Sequence, residues 1–175
     1  IHSRVTLDGS ANLTKTQNVI ADELLDLNRW SRMIGISISN MNSKVLEYNL
    51  GGKWTFTDNY YTSDESLDQN TLLHNYYVSV TLPAWKKWKL SGSYDYKLYS
   101  SDQFAENQSL PLMQLCLSRF ILKGDKGQLK FSVFDVLDEN RGLSLTANPN
   151  DIEEIRSNSI GRYAMFSFIY SIRGA

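Results

Sequence analysis

Between Arg32 and Leu98, apolar side chains recur at every second position through four consecutive segments. In the first, Ile34, Ile36 and Ile38 alternate with Gly35, Ser37 and Ser39. In the second, Leu46, Tyr48, Leu50, Trp54 and Phe56 are interleaved with Glu47, Asn49, Lys53 and Thr55. The third has Leu72, Tyr76, Val78, Val80 and Leu82 against Asn75, Ser79 and Thr81, broken by Tyr77. The fourth sets Trp88, Leu90, Tyr94, Tyr96 and Leu98 against Lys89, Ser91, Ser93, Asp95 and Lys97. Successive strand residues point to opposite faces, so a two-residue period gives a pleated sheet with one greasy and one polar side.

Three further segments follow the same logic less cleanly. Leu110 to Lys123 is apolar on both faces in places, Leu129, Phe131, Val133 and Leu137 oppose Lys130 and Ser132, and Ala164, Phe166, Phe168, Tyr170 and Ile172 oppose Ser167 and Ser171. Val5, Leu7, Ala11 and Leu13 form a weaker eighth strand with Arg4, Thr6, Asn12 and Thr14 between them. Helical character is confined to Val19–Leu27 and Ile152–Ser157. The connections Asn40–Ser43, Pro83–Lys87 and Gly124–Gly127 are short, whereas Val19–Arg29, Asp58–Thr71, Ser101–Ser109 and Asp138–Asn158 are long and polar. Short and long alternate strictly. That layout is expected of a membrane barrel with tight turns at its periplasmic end and longer loops outside, and eight strands put both termini on the periplasmic side.

Each segment has roughly 9–14 residues, close to the ~9–11 with which a tilted strand crosses the hydrocarbon. No apolar run reaches the ~20 residues of a membrane helix. The even-numbered residues of the four central segments are then expected to face lipid, and Glu47, Asn49, Lys53, Lys89, Asp95 and Lys97 a polar lumen. Aromatic residues make up 12% of the chain and gather near segment ends. Tyr60, Tyr61, Tyr76, Tyr77 and Tyr99 are expected at the loop-side interface, and Trp85, Trp88 and Phe120 at the turn side, as two aromatic girdles. A soluble β-sandwich or lipocalin-like barrel predicts the same alternation. The loop asymmetry and the girdles favour the membrane. The expected fold is therefore all-β, an antiparallel meander forming an outer-membrane β-barrel, with about eight strands in residues 1–175.

The C-terminal third carries a resemblance. The run Phe131-Ser-Val-Phe-Asp-Val-Leu-Asp-Glu-Asn-Arg-Gly142 resembles the penultimate-strand motif of Bacteroidota outer-membrane barrels, and Asn158-Ser-Ile-Gly-Arg-Tyr-Ala-Met-Phe-Ser-Phe-Ile-Tyr-Ser-Ile172 resembles their closing strand. Those proteins are similar to TonB-dependent receptors. The resemblance covers roughly Gly127 to Arg173 and implies a large barrel of about 22 strands, an N-terminal plug, energy from the TonB complex and uptake of a ligand. The chain has too few strands for that barrel and shows no plug or TonB-contacting segment. It opens at Ile1 without Met or signal sequence, which reads as a mature form or a part of something longer. Two expectations follow: the C-terminal slice of a receptor, or a small barrel of about eight strands filled by its own side chains. A small non-transporting barrel with a structural or adhesion role and a soluble binding module are the alternatives.

Few residues suggest chemistry. Eighteen basic and nineteen acidic residues balance to a net charge of −1, so nucleic acid is not an expected partner. Outer-membrane lipid is. Cys116 is the sole cysteine, cannot form an internal disulfide, and reads as a small hydrophobe. His2 and His74 lack neighbours at ligand spacing, and His74 is expected at headgroup level. Arg119 breaks an apolar parity near a turn, where it can snorkel. Asp135 interrupts the apolar face and is expected at the rim or paired with Arg162 or Arg141. The acidic loops at Asp64–Asp68 and Asp151–Glu154 lack the spacing of a calcium loop. Neither a nucleophile elbow nor a phosphate loop occurs. The expectation is a protein without catalytic, metal or cofactor sites.

Overall fold

The alternating segments hydrogen-bond into one antiparallel sheet because period-two amphipathicity leaves each strand only its neighbours as backbone partners. The computed structural model describes residues 3–20, 23–40, 45–62, 65–84, 87–102, 107–140, 143–147, 152–156 and 160–172. The strands are β1 (Arg4–Ile20), β2 (Glu23–Asn40), β3 (Glu47–Tyr61), β4 (Gln69–Ala84), β5 (Trp88–Ser101), β6 (Gln108–Ile121), β7 (Gly127–Phe134), β8 (Leu143–Ala147), β9 (Ile152–Arg156) and β10 (Tyr163–Tyr170). The main sheet has eight strands in the order β1-β2-β3-β4-β5-β6-β7-β10. β8 and β9 form a separate hairpin within the connection from β7 to β10. The described sheet is open, with β1 and β10 as its edges.

All eight strands expected from periodicity are present. The two helical expectations are not: Val19–Leu27 is extended across the end of β1 and the start of β2, and Ile152–Arg156 is β9. The expected long loop at Val19–Arg29 is likewise replaced by strand, with only residues 21–22 between β1 and β2. Strict alternation of short and long connections fails there. Of the other connections at this end, 62–68 and 135–162 exceed all those at the opposite end (41–46, 85–87 and 122–126), and 102–107 equals the longest of them. We refer to these as the loop end and the turn end.

Register carries the two faces across the sheet. Ile34 pairs with Trp54, Trp54 with His74 and Tyr76 with Tyr96, so even residues share the apolar face from β2 to β5. Between β5 and β6 the parity switches, because Leu90 pairs with Leu117 and Trp88 with Arg119. The apolar face of β6 is therefore odd-numbered, which resolves its two-sided appearance in sequence. It continues through Leu117–Phe131 and Phe131–Phe166 pairs.

The adjacent glycines of β3 are required by ring packing. Gly51 pairs with Tyr77 and Gly52 with Tyr76. A Cβ on Gly51 would stand 2.6 Å from the Tyr77 hydroxyl and 2.7 Å from the Ile36 carbonyl oxygen, and one on Gly52 would meet the Trp54 ring at 3.0 Å. Tyr77 covers the strand on its polar side while Trp54 and Tyr76 cover it on the apolar side.

Candidate functional site

The burial pattern is inverted relative to a water-soluble sheet. Beside the small Leu25–Leu27–Tyr61 cluster, most of the enclosed side chains are polar: Asn59 is 0% exposed, Asn40 2% and Ser132 3%. By contrast Phe166 is 69% and Ile34 61% exposed on the apolar face. Bringing a Leu, Ile or Phe side chain out of water is worth about 1.5–3 kcal/mol, and soluble monomers rarely expose contiguous apolar patches above a few hundred Å². A sheet with this face in water would not persist as a monomer. No second layer covers Trp54, Tyr94 or Phe168 among the described residues.

The apolar face is bounded by polar groups at both ends. On the loop side, Arg32 and Asp58 form an ion pair on that face, and the Asn70 amide donates to the Asp102 carboxylate at 3.1 Å. On the turn side, Arg119 lies over the Trp88 ring, 5.2 Å from its centroid. The ring face offers the guanidinium a cation–π partner at this end of the apolar face. On β3 the apolar set runs from Tyr48 to Phe56, roughly 30 Å of strand at about 3.3 Å per residue. That length suits a tilted strand crossing a hydrocarbon layer.

The opposite face is the candidate functional surface. Glu47, Asn49, Lys53, Lys89, Asp95 and Lys97 all lie on it: Lys53 and Lys97 flank Asn75, and Asn49 pairs with Ser79. The Glu47 carboxylate is 4.0 Å from the Lys89 ammonium. Side-chain oxygens of Asn59, Gln69, Asn75, Asp95 and Ser132 are buried without a hydrogen-bond partner among the described residues. Buried polar groups in stable proteins are satisfied by protein or water, so this face is built to be wetted or covered by polar matter. Sequence reasoning passed over one part of it. Cys116 pairs with Ser91 and with Ser132, on the polar and not the greasy side of β6. The parity switch at β5–β6 hid this.

The aromatic expectations divide. Tyr60 is exposed on the apolar face beyond Asp58, and Trp88 marks the turn side with Arg119. Tyr76 lies within the apolar band and not at its rim: its hydroxyl accepts from Trp54 Nε1 at 3.1 Å and lies 3.2 Å from His74 Nδ1, and its ring stacks on Tyr96. Tyr61 is instead buried with Leu25 and Leu27, with Leu67 packed against them. Tyr99 and Phe120 share the polar parity, paired with Leu73 and Gln128. Trp85 lies outside the described residues. Asp135 follows the last residue of β7 at the loop end, and of its two expected partners Arg162 does not pair with it. Its carboxylate accepts from the backbone N–H groups of Glu139 (3.2 Å) and Asn140 (3.0 Å), and Arg162 pairs with Asp138 at 3.6 Å. Among the described residues a folded-over turn supplies the donors to the buried carboxylate, and Arg162 is engaged elsewhere. Arg141 lies outside the described residues.

A closed sheet with a lipid-matched apolar outside and a polar inside is the one β architecture that satisfies its backbone within a bilayer. Fold, band and inverted burial together define this chain as part of the wall of a membrane β-barrel. It belongs to the outer membrane protein beta-barrel family, whose model matches residues 5–170, and its location is the bacterial outer membrane. No curated protein and no solved structure matches it.

Proposed function

We infer that this barrel wall belongs to a TonB-dependent receptor or transporter-like protein that takes up a ligand across the outer membrane, acting by binding and passage and not by catalysis. The observation that carries the reading is the polar face of an open sheet, with buried side-chain oxygens that no described residue satisfies. Eight strands closed on themselves leave room only for their own side chains. Here β1 and β10 remain edges, and their polar-parity residues, Asp8, Asn12 and Met165 among them, are exposed. Free edges are not tolerated in hydrocarbon, so on this reading the eight strands are an arc of a wider wall enclosing a passage. The motif around Asp135 and the closing strand support a Bacteroidota receptor, with a plug domain and the TonB complex as partners. Bound lipid surrounds the outside.

The test is genetic. Deleting the gene and, separately, inactivating the TonB complex should abolish uptake of at least one common nutrient in a panel of scarce ones. A deletion strain that grows like wild type on every nutrient the TonB-deficient strain fails to use overturns the reading. One feature favours a second reading, an adhesion barrel: β1 and β2 continue as a hairpin past the Arg32–Asp58 boundary.

A further inference from the structure

On the polar face of β4–β7 the wall holds a recess of about 200 Å³ lined in part by Ser91, Ser93, Cys116, Lys130 and Ser132, with Phe134 at its side. Two observations make it more than a run of small residues. The Ser132 hydroxyl is buried and has no hydrogen-bond partner. Lys130 is half-buried between Ser118 and Ser167 on the neighbouring strands. None of the described ion pairs gives it a carboxylate: Glu47 is engaged by Lys89, and Asp95 stands on β5 two residues beyond Ser93. Lys89 itself lies one strand beyond Ser118 in the same cross-strand row as Lys130, and the polar face of β3–β7 carries Lys53, Lys89, Lys97 and Lys130 against Glu47 and Asp95, so its excess of charge is positive. A partly desolvated cation without a counter-charge costs free energy unless an anion or water meets it, and an orphaned hydroxyl beside it supplies a donor that an oxyanion accepts from.

We propose that this recess is a subsite for the oxyanion group, carboxylate or phosphate, of a solute inside the barrel, held by the Lys130 ammonium with donors from Ser132 and Ser91. The proposal rests on the uptake reading above for its solute and deepens it by naming an anionic ligand. Lys130 is the specificity-determining residue. The hydroxyls shape the place for the oxygens, and the serines and Gly92 of β4–β7 leave room for them.

Cys116 borders the recess and serves as its reporter. In outer-membrane fragments containing the whole protein, Cys116 is reacted with an anionic and a cationic thiosulfonate of similar size. Each rate is divided by that reagent's rate with free cysteine, and Cys116→Ser supplies the background. The anionic reagent is expected to react roughly tenfold faster, because a field of this kind concentrates counter-ions at least that much. Lys130→Gln should bring the two rates together, and Lys130→Arg should keep them apart. Inorganic phosphate and succinate, added separately, should slow the anionic reagent, and the more protective of the two identifies the group. Equal normalised rates, or a preference that survives Lys130→Gln in protein that retains heat-modifiable mobility on gels, overturn the anion subsite and leave the uptake reading standing. A cysteine reached only by a lipid-soluble maleimide and by neither charged reagent overturns both, because the polar face would not then line a passage.

Discussion

Single residues in this sheet are constrained from two sides at once, and Gly51 shows how. Its Cβ position is occupied on the polar side by the Tyr77 hydroxyl and hemmed in by the Ile36 carbonyl of the adjacent strand. The ring can swing away, but the carbonyl moves only by distorting the β2–β3 ladder. Gly51→Ala should therefore lower folding stability by about 1–3 kcal/mol, the usual cost of overpacking. Gly9, whose nearest such neighbour is 3.9 Å away, should accept alanine within about 0.5 kcal/mol. Urea titration of vesicle-refolded protein compares the two, and equal effects would remove the steric argument. Asp135 makes a parallel case. Two backbone donors converge on its buried carboxylate, whereas Asp138 and Arg162 pair in the open. Asp135→Ala should cost about 1.5–3 kcal/mol, as charge-assisted hydrogen bonds do, and Arg162→Ala less than about 1 kcal/mol. The sequence made Asp135 conspicuous on its apolar parity, but its partners are backbone amides, which carry no signature in side-chain identity.

Strands were legible wherever lipid and lumen impose opposite chemistry on their two faces. β2 to β5 within the band alternate in sequence because a one-residue slip would put Lys53 or Lys97 into hydrocarbon. Beyond the Arg32–Asp58 boundary that pressure ends. Both faces of the β1–β2 hairpin can meet water there, the period fades, and Val19–Arg29 reads as loop although its backbone pairs from Val19–Leu24 to Thr14–Arg29. What anchors this extension is local: Leu25 and Leu27 against Tyr61, with Leu67 beside them, and the Asp68 carboxylate accepting from the Tyr61 N–H at 2.8 Å. The polar site was half legible for a related reason. Its charges on β3 and β5 follow from parity alone, while Cys116 required the β5–β6 register, which pairs even with odd residues and follows no rule visible in either strand. Because the hairpin's packing is separate from the band, Leu27→Ala should open it without unfolding the barrel. Leu→Ala in a packed cluster costs about 2–5 kcal/mol. Amide exchange should accelerate in residues 23–31 and 59–62 and stay unchanged in Ile34–Ile38. Uniform acceleration would show that the extension and the band unfold as one unit.

At the scale of the molecule, the two faces make opposite demands on charge, and that opposition is the most exposed consequence of the fold. Leu117 and Phe131 pair on the apolar face, one pair inside the Arg119–Trp88 rim. Ser93 occupies the polar face at comparable depth, between Ser79 and Gln114. A lysine introduced at position 131 must place its ammonium in hydrocarbon or drag water and headgroups toward it, a cost of about 2–4 kcal/mol near the midplane that falls toward the interface. A lysine at position 93 enters a wall already furnished with Lys89, Lys97 and Lys130, and pays only mutual repulsion softened by solvent. Phe131→Lys, one pair from the rim, is thus expected to lower the stability of vesicle-refolded protein by about 1–2 kcal/mol, and Ser93→Lys by less than about 0.5 kcal/mol. A soluble sheet with a hidden apolar core would also punish Phe131→Lys, so the bilayer itself has to be varied. In vesicles of thinner hydrocarbon the substituted ammonium reaches the interface sooner, and the penalty at position 131 should shrink while that at position 93 stays constant. A penalty at position 131 indifferent to bilayer thickness would mean that protein and not lipid covers Phe131, and the assignment of the two faces would have to be reversed or abandoned.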